Sequence, residues 1–296
     1  MTDRVLDISE EPARLSVRYG QLVIDLDARP ETTVPLIDLA VLVVSHPRAS
    51  YTNAVLAELT AAGGAFVACD SRHQPAAMLL PLAGHFLQTQ RFATQAAAPL
   101  PLRKRLWQQI VRAKIRAQGR LLKELRGVDK GIPMLEKRVK SGDPENVEAQ
   151  ASRRYWTTLF NNPGFRRDRD AQDQNRFLNY GYAILRAIVA RAICAAGLHP
   201  SLGLHHHNQY DTFCLADDLM EPFRPIVDGA IARLVEERGA DAAMNHDTKK
   251  VILQSLTGRF DFEGESRALF DIITRVASSL AAVFMGERND LLLPEI

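Results

Sequence analysis

Near residue 85 the hydrophobic repeat of this chain changes from the two-residue period of strands to the 3.6-residue period of helices. That change limits the fold to a β-rich part followed by a helical part, an α+β chain. In RLSVRYGQLVIDL, apolar Leu15 and Val17, then Leu22, Ile24 and Leu26, alternate around Gly20, which predicts a hairpin. PLIDLAVLVVS holds an unbroken apolar run from Leu39 to Val44, as a strand buried on both faces requires. SYTNAVLAELTAAGG reads as a helix capped by Ser50 or Thr52, striped by Val55, Leu56 and Leu59, and ended by Gly63–Gly64. AFVACD and AAMLLPL supply further strands.

A strand followed by a helix and another strand invites a nucleotide-binding reading. A phosphate cradle needs glycines at the strand–helix junction so that backbone N–H groups can approach the anion. Here that junction is SHPRASYT, without glycine, so the unit reads as scaffold. Helical patterns follow in LRKRLWQQIVRAKIRAQGRLLKEL, VEAQASRRYWTTLF, DQNRFLNYGYAILRAIVARAICAAG, PIVDGAIARLVEERG, TKKVILQSLTG and SRALFDIITRVASSLAAVFMG. The economical division is a β-rich domain over 1–84, serving as scaffold and dimer surface, and a helical domain over 85–296 that carries the chemistry. The boundary falls near PLAGH.

Composition narrows the setting. The chain has 296 residues, 46% of them hydrophobic, enough for a sizeable core. No run of about eighteen apolar residues suggests a membrane span, and MTDRVLDISEEPARL lacks the apolar stretch of a signal peptide. Cys69, Cys194 and Cys214 form no CxxC pair and read as reduced thiols of a cytoplasmic protein. Net charge is +2, yet residues 103–140 hold thirteen Lys or Arg against three acids, and Arg153, Arg154, Arg166, Arg167 and Arg169 follow. Two basic clusters flanking one acidic segment point to a polyanion partner.

The acidic and histidine-rich segment is GLHHHNQYDTFCLADDLMEPFRP. Adjacent side chains diverge by about 100° in a helix and about 180° in a strand, so His205, His206 and His207 cannot all face one ion. Asp218 and Glu221 stand at i, i+3, and Asp217 and Glu221 at i, i+4, so either pair shares a helical face, although Pro222 interrupts the helix. Interleaved Phe213, Leu215, Leu219, Met220 and Phe223 imply partial burial. Buried carboxylates need a cation or hydrogen-bond partners, and oxygen donors with one imidazole suit Mg²⁺ or Mn²⁺. Glu145 and Glu148, near the start of another helix, offer the further acid such a site needs.

PENVEAQASRRYW, NRFLNYGYAILRAIVARA and GLHPSLGLHHHNQYDTFCLADDLMEPFRPIVD, with VVSHPRASYTNAVLAEL and LPLRKRLWQQIVRAKIRAQ, give the chain a family likeness over nearly its whole length. It resembles the CRISPR-associated endonuclease and integrase of spacer acquisition, the first member of the Cas series, in its type II-like form. The resemblance implies a β-rich N-terminal domain, a helical catalytic domain and a site of Mg²⁺ or Mn²⁺. By motif position Glu148, His206 and Glu221 match the metal ligands, and Asp218 falls at an auxiliary acidic position; His205 and His207 match nothing the family requires. The implied reaction is attack by a DNA 3′-hydroxyl on a phosphodiester at a repeat boundary, inserting a new spacer into a CRISPR array. The implied partners are double-stranded protospacer and repeat DNA, a second copy of the chain, and a dimer of a small ferredoxin-like second Cas protein in a heterohexamer. Arg112, Lys114, Arg116, Arg153 and Arg154 are then expected against DNA phosphates, with Arg105 and Arg120 less clearly phased. Two rival readings are a non-catalytic helical DNA-binding protein, in which only the basic runs matter, and a phosphohydrolase built on His246–Asp247.

Overall fold

The computed structural model describes residues 4–27, 29–70 and 75–295. Its N-terminal part runs β1 (Arg4–Ile8), β2 (Ala13–Arg18), β3 (Gln21–Leu26), β4 (Thr32–Pro35), β5 (Leu39–Val44), β6 (Ser50–Tyr51), α1 (Asn53–Ala61), β7 (Ala65–Cys69) and β8 (Pro75–Leu79). One sheet has the order β1-β5-β7-β8, the other β4-β3-β2-β6. The expected hairpin is β2–β3, turning through Tyr19 and Gly20, both at positive φ, as a two-residue turn between twisted strands requires. Thr52 stands at the start of α1 but makes no side-chain cap.

All six residues of β5 are buried, and the strand separates two cores. Leu39, Leu42 and Val44 face Leu15, Leu22, Val55 and Leu59, between the two sheets and α1. Ala40, Val41 and Val43 belong to the larger helical core. Strict alternation would not put Ala40 and Val41 on one side. The pairing with β1 skips Ala40, with Arg4 opposite Leu39 and Val5 opposite Val41, and this bulge resets the alternation.

Helices dominate beyond residue 87: α2 (Gln88–Ala96), α3 (Leu100–Arg126), α4 (Ile132–Glu136), α5 (Val147–Leu159), α6 (Asn175–Ala195), α7 (Cys214–Met220), α8 (Arg224–Arg238), α9 (His246–Ser255) and α10 (Leu269–Phe284). Among the described residues α6 alone is long and apolar enough to span a membrane, yet most of it is buried within the protein. It is a core helix, packed on α7, α8 and α10 and on β5 and β7. The first sheet therefore anchors the helices that carry the site.

One expectation is overturned. The helix expected from SRALF onward does not start there: β9 (Arg259–Phe262) and β10 (Glu265–Ala268) form a hairpin, and α10 begins only at Leu269. Glu263 and Gly264 make its two-residue turn with positive φ at both positions. That turn chemistry and the alternation of Phe260 with Phe262 override the helical pattern of the residues that follow.

Candidate metal centre

Pro222 decides the local geometry of the acidic segment. It cannot donate a backbone hydrogen bond, and α7 gives way at Glu221 to a 3₁₀ turn, Glu221–Phe223, before α8 restarts at Arg224. The three acids then point to three different partners. Asp217 takes a two-pronged hydrogen bond from Arg186 of α6, at 2.7 and 2.9 Å. Asp218 turns under the histidine loop. Glu221 enters the interior beside α3.

Asp218 is fully buried and organises the loop. Its Oδ2 accepts the backbone N–H groups of Leu204 (2.6 Å) and His205 (3.0 Å). Its Oδ1 accepts the backbone N–H of His206 (3.2 Å) and the ring Nδ1 of the same residue (2.7 Å). The backbone passes so close that a Cβ on Gly203 would lie 2.3 Å from the His206 carbonyl oxygen, which explains the glycine. A carboxylate acceptor places the proton on Nδ1 and leaves Nε2 with a free lone pair. The same hydrogen bond lifts the His206 pKa above its usual value, against the effect of burial.

The histidines diverge as the chain geometry demands. His205 stacks on buried Trp107, with ring centroids 4.3 Å apart and planes 3° from parallel. His207 turns its Nδ1 to the His205 carbonyl, 2.7 Å away. His206 and His207 both line a cleft of about 340 Å³, together with Arg103, Asn208, Gln209 and Asp211.

Glu148 reaches the same region from the first turn of α5, where the Asp143 carboxylate accepts the N–H groups of Val147 and Glu148 at 2.9 Å each. Between Glu148 and Glu221 stands Lys114 of α3. Its Nζ lies 2.5 Å from Glu148 Oε1 and 2.5 Å from Glu221 Oε2. Burial alone would lower the lysine's pKa, but Glu221 and then Glu148 more than reverse this and hold the amine charged. Arg224 lies 3.1 Å from the other Glu221 oxygen. Burial would raise the Glu221 pKa; Arg224 first, then Lys114, bring it below the ordinary carboxylate range. No three His, Cys, Asp or Glu side chains among the described residues converge on one point as they stand. Lys114 fills the space between the two carboxylates.

A family model described as "CRISPR associated protein Cas1" matches residues 6–260. The chain belongs to the Cas1 family. It is 35% identical to a CRISPR-associated endonuclease Cas1 of Neisseria meningitidis serogroup C (strain 8013), over the whole of this chain and 97% of that protein. Two solved structures share the fold. A casposase bound to integration product has a TM-score of 0.82 at 19% identity, covering 99% of this chain and 94% of that one. A Cas6-RT-Cas1–Cas2 complex has a TM-score of 0.78 at 16% identity, covering 99% of this chain and 36% of that one.

In this Cas1-family chain the basic helix departs from the expectation that Arg112, Lys114 and Arg116 form a free phosphate-facing row. Lys114 is buried in the carboxylate site. Arg112 donates to the Val139 carbonyl at 2.9 Å, and Arg116 pairs with Glu136 at 2.5 Å. Arg105 donates to the Asn289 carbonyl, and Arg120 is taken by Glu295. These cations fasten α3 to α4 and to the C-terminal segment. The open basic surface lies elsewhere. Arg153 and Arg154 are exposed on α5, and Arg154 lines a cleft of about 730 Å³ with Arg126 and Lys130. Arg167, Arg169, Arg186 and Arg224 line another, of about 490 Å³, beside Tyr182. There Arg186 is held by Asp217, Arg224 by Glu221 and Arg167 by Asn175 and Asn179, and Arg169 is the exposed member. Sequence reasoning missed Lys114 and Arg224 as members of the site. The signal for Lys114 was present, since it follows Ile110 by four residues on the apolar face of α3.

His246 and Asp247, at the start of α9, are far less enclosed. His246 is exposed and stands 4.0 Å from Glu10, so the doublet gains no support as a hydrolase site.

Proposed function

We propose that this chain is a divalent-metal-dependent DNA endonuclease and integrase that inserts new spacers into a CRISPR array. The observation that carries the reading is the pairing of half-buried Glu148 and buried Glu221, delivered from separate elements to one cation, Lys114 Nζ, beside a histidine whose Nε2 is left free. The residues fit a hard ion. Glu221 Oε2 is buried, and the Lys114 amine, 2.5 Å away, is the cation it faces. With carboxylate oxygens outnumbering a single imidazole, the donors suit Mg²⁺ or Mn²⁺ more than zinc. Glu148, His206 and Glu221 would hold it, with Asp218 orienting the imidazole from behind. Bound there, the ion would neutralise charge on a phosphodiester and orient the attacking oxygen.

The reaction is a transesterification. A 3′-hydroxyl of incoming DNA forms a new bond to phosphorus at the repeat boundary, and the old 3′-oxygen leaves; water in its place gives strand cleavage. Arg153, Arg154, Arg166 and Arg169 are exposed cations placed to meet DNA phosphates. The relatives support this reading: an endonuclease, a casposase bound to integration product, and a complex that includes Cas2. On the same basis we assign it protospacer and repeat duplexes as substrates, a C2 homodimer through the β-rich half, a ferredoxin-like Cas2 partner in a heterohexamer, and a cytoplasmic setting.

The test is integration of a labelled duplex into a repeat-bearing plasmid with Mn²⁺ or Mg²⁺ and the partner protein. Glu148→Ala, His206→Ala and Glu221→Ala should each abolish strand transfer, because members of one site fail together. His205→Ala and His207→Ala should retain most of it. Full integration by all three of the first set would overturn the metal-site reading. The rival, a non-catalytic DNA-binding protein, requires that wild type show no strand transfer and that its DNA affinity ignore divalent metal.

A further inference from the structure

Two carboxylates facing one another, one buried and one half-buried, repel unless a cation lies between them, and here the chain supplies that cation itself. Lys114 comes from α3, Glu148 from α5 and Glu221 from the turn after α7. The side chains are 8%, 26% and 4% exposed, respectively. With Arg224 on the second oxygen of Glu221, each carboxylate of the pair already has a cation in contact. A divalent ion entering here would add two positive charges beside Lys114 and Arg224 at short range, where water screens weakly. It would also meet an ammonium already standing between the oxygens it needs.

The two contacts of the amine are not equivalent. Towards Glu148 it makes a hydrogen bond. Towards Glu221 Oε2 the amine is equally close, 2.5 Å, but on the buried side of the cluster. Lys114 thus bridges a more open carboxylate and a buried one.

We propose that Lys114 is the resident cation of the carboxylate pair: it holds Glu148 and Glu221 in position when no divalent ion is bound, and an ion must displace its amine to bind. This rests on the metal-site reading above and assigns Lys114 a positioning role, in place of the phosphate contact its basic surroundings suggest. Metal affinity is accordingly set low by the chain itself. Removing the lysine charge should tighten ion binding while loosening the ion-free protein.

The experiment is Mn²⁺ titration of the full chain, by calorimetry and by electron paramagnetic resonance of free Mn²⁺, with melting temperatures in EDTA and in millimolar Mn²⁺. Lys114→Met and Lys114→Gln should bind Mn²⁺ at least about tenfold more tightly than wild type, since one like charge has left the site. Both should melt lower in EDTA and gain more from Mn²⁺ than wild type does. Lys114→Arg keeps the charge and should stay within about threefold of wild type by the same electrostatic argument. A Lys114→Met protein that is unfolded in EDTA but folds cooperatively in Mn²⁺ would support the proposal equally. Unchanged or weaker Mn²⁺ binding by both neutral variants overturns it, as does failure of both to fold in millimolar Mn²⁺. Glu221→Gln separates the two readings: Mn²⁺ binding that it removes from wild type keeps the metal site standing even if the lysine proposal falls. Mn²⁺ binding insensitive to Glu221→Gln in every background removes both.

Discussion

Asp218→Asn tests whether the buried carboxylate fixes the histidine loop and its tautomer. The aspartate uses both oxygens as acceptors, for two N–H groups each. Asparagine keeps one acceptor oxygen and turns the other position into a donor. With its NH₂ towards Leu204 and His205, two backbone N–H groups are left without an acceptor. With its NH₂ towards His206, one backbone N–H is left so, and the ring must flip its proton to Nε2 to accept from the amide. Hydrogen bonds to charged groups contribute roughly 1.5–3 kcal/mol each, so the loop should open more easily by about 3 kcal/mol in the first orientation. That corresponds to amide exchange at residues 204–206 faster by about a hundredfold, as every 1.4 kcal/mol is a factor of ten. In the second orientation the exchange change is smaller, but histidine ¹⁵N shifts should show Nε2–H in place of Nδ1–H. Both outcomes should reduce Mn²⁺ binding while circular dichroism stays unchanged. Wild-type exchange rates together with a retained Nδ1–H would refute the reasoning.

Burial raises the Asp228 pKa to about 6, although Tyr182 and Tyr155 donate to it and Arg224 and Lys114 lie nearby. A raised carboxyl pKa means stability that is full below the unfolded value of 3.8 and is lost as pH rises through about 6. Against Asp228→Asn in urea melts, wild type should lose about 2 kcal/mol between about pH 4 and pH 7; a stability difference that does not vary with pH would exclude this. For DNA binding, neutralising Arg112 and Arg116 should change the salt dependence of affinity little, because both are half-buried and their guanidinium groups are bound to the Val139 carbonyl and to Glu136. Neutralising Arg153, Arg154, Arg166 and Arg169 should flatten the slope of log affinity against log salt by roughly 0.9 for each phosphate that the variant no longer neutralises. The reverse ranking would return the DNA surface to α3.

Sequence alone determined what depends on neighbours along the chain. The β2–β3 hairpin, the doubly buried β5 and the helices α5, α6 and α8 follow from period and turn residues, which act within a few positions. The divergence of His205, His206 and His207 follows equally from backbone geometry. Even the hairpin at Arg259–Ala268 is legible in its Glu263–Gly264 turn between alternating residues, a signal that competes with the helical pattern after it. Charge is another matter. Counting lysines and arginines over 103–140 shows how many there are but not where they point, so the count groups Lys114 with Arg112 and Arg116 although it lies on the buried face of α3. Asp217 and Asp218 adjoin in the chain, yet one is bound to Arg186 of α6 and the other to the histidine loop. Only the packing of α3 against α5 and the turn at Glu221 brings Lys114 within 2.5 Å of two acids distant in sequence. Electrostatic energy depends on separation in space and on the exclusion of water, and neither is written in the order of the residues.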